Sequence, residues 1–121
     1  MVDKDLLSIQ EARSLVRAAR AAQAEYSQLG QDRIDAVIKA ISEVGIAHAE
    51  ELAQMAHEET GYGKTADKKT KNLLAAEKVY ACIKDMKTVG ILEEDKVNKV
   101  IKVAVPVGVI AGVVPSTNPT S

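Results

Sequence analysis

The last residues of the chain carry its clearest chemical suggestion. In Val113-Val114-Pro115-Ser116-Thr117-Asn118-Pro119 an apolar run gives way to a proline-bounded polar loop. In α/β sheets, ligands bind beside the carboxyl ends of strands, where such loops lie. Asn and Thr there can donate hydrogen bonds to an oxygen that turns negative during acyl transfer. The same residues read equally well as a simple turn, with Asn118 fixed before Pro119.

Other chemistry-bearing residues are less well arranged. Gly61-Tyr62-Gly63-Lys64-Thr65 suggests a phosphate loop, but that motif needs a glycine five positions before its Gly-Lys pair. The position is Glu58, and a helix rather than a strand precedes the loop, so a helix-to-helix turn is expected. His48, His57 and Cys82 lack the spacing of a metal site, and no second cysteine is near, so no metal is expected. Cys82 falls in an amphipathic helical stretch and has no base that spacing would pair with it. Lys64, Lys68, Lys69 and Lys71 read as a solvated helix face.

These residues need elements to hold them. A capping box at Ser8-Ile9-Gln10-Glu11 predicts a first helix, with Ala12, Leu15, Val16, Ala19, Ala22 and Tyr26 on one side. A second is expected from about Asp32 through Ile34, Val37, Ile38, Ile41 and Val44, with Gly45 as a stop or kink. A third runs over Ala49, Leu52, Ala53, Met55 and Ala56 and closes at Gly61, a residue suited to a left-handed end. The fourth starts near Thr65, burying Leu73, Leu74, Ala76, Tyr80, Ala81 and Ile83 and leaving Lys68, Lys69 and Lys71 in water. From Thr88 the chain turns β-branched. Thr88–Leu92 and Val97–Val105 predict a hairpin around the polar Glu93-Glu94-Asp95-Lys96. Val107–Val114 is apolar on both faces, as in a strand inside a covered parallel sheet. Such a strand needs neighbours that four helices and one hairpin do not supply, so either the chain pairs with copies of itself or it is part of a larger body.

Composition sets the bounds. The chain has 121 residues, 46% hydrophobic and 27% charged, which suits one globular domain or part of one. Three Tyr, no Phe and no Trp leave Ala, Val, Ile and Leu to form any core. A net charge of −1 argues against nucleic acid or an anionic membrane as partner. The single cysteine suits a reducing compartment, and the start has no basic region followed by an apolar run, so a cytoplasmic location is expected. Gly108 and Gly112 form a GxxxG pattern, but the apolar stretch around them is short and Pro106 interrupts it, so it does not span a bilayer.

Pro106 to Pro115, followed by Ser116-Thr117-Asn118-Pro119-Thr120-Ser121, closely resembles the CoA-acylating branch of the aldehyde dehydrogenase superfamily. So do Glu58-Glu59-Thr60-Gly61-Tyr62-Gly63, Asp67-Lys68, Lys71-Asn72 and Lys84-Asp85-Met86-Lys87-Thr88-Val89-Gly90. The resemblance implies an α/β fold: about four helices, a β-hairpin arm and one sheet strand, as the amino-terminal portion of an aldehyde dehydrogenase. Residues 1–87 would be the helical part of a cofactor-binding domain and 88–105 a hairpin in the oligomerisation arm. Residues 106–121 would form a cofactor-domain strand and the start of the active-site loop. The implied reaction converts a short-chain aldehyde, CoA and NAD to acyl-CoA and NADH through a cysteine thioester, in a homo-oligomer. The nucleophilic cysteine would lie downstream, so the chain alone would be inactive. Val114, Pro115 and Ser116 match positions that line the nicotinamide side. The wider superfamily has a Pro-Trp-Asn-Phe-Pro motif whose Asn helps hold the oxyanion. Aligned without gaps, Thr117 stands in that column and Asn118 follows it; Asn118 is favoured on donor strength. The alternative is a non-catalytic paralogue that assembles with a full-length enzyme.

Overall fold

In a computed structural model, residues 3–121 are described; Met1 and Val2, where the first expected segment begins, lie outside them. The helices are α1 (Lys4–Tyr26), α2 (Gln31–Ala47), α3 (Ala49–Thr60) and α4 (Thr65–Leu73). A π-helical turn, Leu74–Val79, joins α4 to the short α5 (Tyr80–Ile83). Strands β1 (Gly90–Asp95) and β2 (Val100–Ala104) follow. The chain divides into two compact units: the residues up to Gly30 with Val89–Ala111, and Gln31–Thr88 with Gly112–Ser121.

In the first unit, α1 begins four residues before the expected capping box. Asp3 is the cap, its carboxylate accepting from the amide of Asp5 at 3.0 Å. Ser8 lies inside the helix and its hydroxyl bonds back to the Lys4 carbonyl at 3.0 Å. A serine followed three residues on by glutamate fits a cap only if nothing upstream caps first. The helix buries none of its residues, including Leu15 and Val16 on the expected core side.

The hairpin is antiparallel, with Ile91 opposite Val103 and Asp95 opposite Val100, and a bulge between Ile91 and Glu93. The expected turn at Glu93–Lys96 is displaced: β1 continues to Asp95 and the turn takes 96–99. Asp95 causes this. Its carboxylate accepts from the amides of Val97 (2.9 Å) and Asn98 (3.0 Å) and from the Asn98 side chain (2.6 Å). Such Asx closure competes with strand extension. Val97 is therefore in the turn and fully open, and Lys99 takes a left-handed φ of 54°. Lys102 and Glu93 pair across the strands at 2.5 Å.

The run 106–114 forms no ladder, so the expected sheet strand is not made within these residues. A strand is defined by its partners. Val107, Val109, Ile110, Val113 and Val114 are all exposed, Val113 almost completely.

The second unit is built on small residues. Its core is Ala49, Ala53 and Ala56, one stripe of α3, against which α4 lies. No large side chain is fully buried, and Ile41 and Val44, expected inward, are more than half exposed. Gly45 does not stop or kink α2, which runs on to Ala47. Instead it lets α2 approach the π-turn: a Cβ at Gly45 would sit 3.0 Å from that of Ala76. One turn away, the buried Ser42 donates to the Ala76 carbonyl at 2.7 Å. Gln31 ties the ends of the unit: its carbonyl accepts from the Thr88 amide at 2.8 Å and its amide donates to the Thr88 hydroxyl at 3.2 Å. An open groove of about 350 Å³ between α2 and α5 is lined by Ile38, Ile41, Tyr80 and Ile83, among others.

Two outcomes follow. Gly45→Val should overpack the contact with Ala76 and lower the unfolding free energy by about 1–3 kcal/mol, read as a lower urea midpoint. The amide and side-chain donors around Asp95 hold its carboxyl below the ordinary carboxylate range, the Asn98 amide foremost. The turn is thus favoured above the unfolded-state pKa of about 3.9 and loosens as pH falls through the lower folded value. The Val97 and Asn98 amide NMR shifts should titrate with a midpoint below that of an open Asp, and Asp95→Asn should flatten the curve.

Candidate functional site

The polar loop 115–121 is held against α4 by three side chains. Lys68, Lys71 and Asn72 follow helical three-and-four spacing, so they share one side of α4. Lys68 donates to the Thr117 carbonyl at 2.8 Å, and Lys71 donates to Oδ1 of Asn118 at 2.7 Å. Asn72 works in both directions: Nδ2 donates to the Ala49 carbonyl at 2.9 Å, and Oδ1 accepts from the Thr120 hydroxyl at 3.0 Å. The Asn118 amide also donates to the Pro115 carbonyl at 3.3 Å, closing the loop on itself.

Lys68 and Asn72 are buried, only 5% and 4% exposed. The expectation that Lys68 stays in water is therefore corrected; Lys71 is exposed and Lys69 pairs with Glu50 at 2.8 Å. The cause is local. The alanine stripe of α3 brings α4 close, and Gly63, at φ 69°, leaves room beside the Lys68 stem, where a Cβ would lie 3.5 Å from Cε. A buried ammonium needs an acceptor, and the Thr117 carbonyl supplies it. Reading the lysines as one solvated run missed this. The small residues at 49, 53 and 56, facing a four-residue Lys-Asn spacing, were the available signal.

Asn118 is half-buried, and Thr117 is exposed with its carbonyl occupied by Lys68. A lysine ammonium is a donor only, so the side-chain oxygen of Asn118 must be the atom that faces Lys71. Nδ2 is left with no protein acceptor among the described residues. Asn118 and Lys71 border an open hollow of about 360 Å³ whose other walls include Leu74, Ala75 and Val79. Val114, Pro115 and Ser116 are exposed in sequence before it. They offer an apolar edge and a hydroxyl, which suit the face of a flat ring. They carry no cation for a pyrophosphate and no carboxylate for a ribose.

The remaining candidates do not converge. Gly61, at φ 68°, ends α3, and the glycine loop joins two helices as expected. His48 Nδ1 meets Glu51 at 2.9 Å, His57 Nδ1 is buried without a protein partner, and Cys82 is exposed. Among the described residues no three His, Cys, Asp or Glu side chains gather as metal ligands, and no helix is long and apolar enough to cross a membrane.

The model of the Aldehyde dehydrogenase family matches residues 5–120. The chain belongs to the aldehyde dehydrogenase family. Among relatives, it is 40% identical over 114 residues to the bifunctional aldehyde-alcohol dehydrogenase AdhE of Escherichia coli K12, covering 94% of this chain and 13% of that protein. It is 41% identical over 108 residues to an acetaldehyde dehydrogenase (acetylating) of Bilophila wadsworthia, covering 88% and 21%. A probable aldehyde dehydrogenase from Listeria monocytogenes EGD-e matches with a TM-score of 0.95 at 54% identity, over 98% of this chain and 26% of that one. An acetylating aldehyde dehydrogenase from Geobacillus thermoglucosidasius gives 0.95 at 47%, with the same coverage. The chain thus spans about a quarter or less of these aldehyde dehydrogenases, and both solved neighbours support the reading of an amino-terminal portion.

Asn72 anchors the loop of this aldehyde dehydrogenase segment to two elements at once. Asn72→Leu keeps the branched heavy-atom outline but strands the buried Ala49 carbonyl and frees Thr120. Stability should fall by about 1–3 kcal/mol, and hydrogen exchange at residues 117–121 should speed up.

Proposed function

We propose that this chain forms the amino-terminal part of an acylating aldehyde dehydrogenase, which converts a short-chain aldehyde, CoA and NAD to acyl-CoA and NADH. The observation that carries this is the loop 115–121, clamped on α4 with an Asn118 donor left over, in a chain whose relatives include proteins named as acetylating dehydrogenases.

Each residue then has a bounded role. Asn118 Nδ2 donates to the aldehyde oxygen as it gains charge when a thiolate attacks; Thr117 serves through its backbone. A fixed donor of this kind is worth about 10²–10³ in rate. Val114, Pro115 and Ser116 lie along the nicotinamide side, and NAD, when bound, supplies the hydride acceptor. The thiolate comes from a cysteine beyond this chain, since Cys82 is not in the loop's surroundings. Residues 1–87 belong to the cofactor-binding domain, 88–105 to an oligomerisation arm, and 106–121 to a cofactor-domain strand and the active-site loop. The whole protein is a cytoplasmic homo-oligomer.

The test is turnover by the whole polypeptide that carries this chain, given acetaldehyde, CoA and NAD. Acetyl-CoA and NADH should appear in equal amounts, and the 121-residue chain alone should produce neither. NADH accompanied by free acetate, with or without CoA, would refute the acylating reading.

A further inference from the structure

We infer that Lys71 is a positioning residue for the reaction: it fixes the side-chain amide of Asn118 so that Nδ2, and not Oδ1, faces the substrate oxygen. This rests on the acylating reading above. An asparagine amide is nearly symmetric in shape, and its two ends differ only in hydrogen bonding. Turned by half a revolution, Asn118 would present an acceptor to a developing oxyanion and repel it. Something must therefore break the symmetry, and the 2.7 Å contact from the Lys71 ammonium to Oδ1 does so. A charge-assisted bond is roughly twice as strong as a neutral one, and an ammonium cannot pair with the flipped amide, which would offer it only donors.

Lys68 completes the device from below. It sits one helical turn before Lys71 and holds the carbonyl of Thr117, the residue just before Asn118. The backbone is thus pinned on one side of the amide and the side chain on the other. Lys68 is buried while Lys71 is exposed, so the two separate by role: Lys68 serves the stability of the loop, Lys71 the orientation of the donor. Because Lys71 is exposed, replacing it should leave the fold intact.

The experiment uses the whole polypeptide, assayed for acetyl-CoA and NADH, with Lys71→Met, Lys71→Arg, Asn118→Ala and the double variant Lys71→Met/Asn118→Ala. Asn118→Ala should lower kcat about 10²–10³-fold. Lys71→Met should lower kcat by about tenfold with little change in KM for aldehyde, and Lys71→Arg, which keeps a donor cation, should recover most of it. The double variant should be no slower than Asn118→Ala, because Lys71 acts only through that amide. Unfolding midpoints of Lys71→Met and wild type should agree. Wild type that forms no acetyl-CoA would overturn the acylating reading and this inference with it. An active wild type with Lys71→Met at full rate, with only KM altered, or with a double variant slowed by the product of the single effects, would overturn this inference alone.

Discussion

Close approach of α3 and α4 is the constraint on which the second compact unit depends. Three alanines on α3 remove the side-chain bulk that would hold two helices apart. The interface gains little from apolar burial, since each alanine removes only a small area from water. It makes up for this with polar groups. Asn72 reaches across to a backbone carbonyl of α3, and Lys68 must find an acceptor because its ammonium has lost water. The acceptor is on the loop that ends the chain, so helix contact and loop placement are parts of one arrangement.

Much of this organisation was legible. Gly61 ends α3 in the left-handed conformation that a residue without Cβ adopts cheaply. Four helices and a hairpin were readable from periodicity and β-branched content, and the final motif carried the family. What was not legible depended on competition between neighbours. Ser8 has the signature of a cap, but Asp3 caps first. Glu93–Lys96 is polar enough for a turn, but Asp95 gathers three donors and moves it. Lys68 belongs to a charged run, and only the shape of the facing helix shows that it is buried. The loop residues Thr117 and Asn118 were identifiable as types; the lysines that hold them, and the asparagine that holds Thr120, were not, because contacts 47 to 49 residues apart leave no local trace.

Electrostatics elsewhere are modest. Glu50 is held below its usual range by its bond to Lys69, and Lys84 above its own by Asp85. Both pairs lie at the surface, where screening leaves little net stabilisation. Lys68 and Lys71 of α4 are distinguished by their partners, neutral oxygens of the loop, rather than by strength of charge.

The wide turn at Leu74–Val79 adds a meaning of its own. An extra residue in one helical turn shifts everything after it by about 100° around the axis. That offset brings Tyr80 back to the line of Lys68 and Asn72, so that Asn72, Tyr80 and Ile83 border one groove with Ile38 and Ile41 of α2. One nearly continuous rod thus presents polar groups to the loop before the turn and Tyr80 and Ile83 to α2 after it. Ser42 caps the Ala76 carbonyl inside that turn. It works as a peg that sets the angular timing between the half of the rod that holds the loop 115–121 and the half that packs on α2.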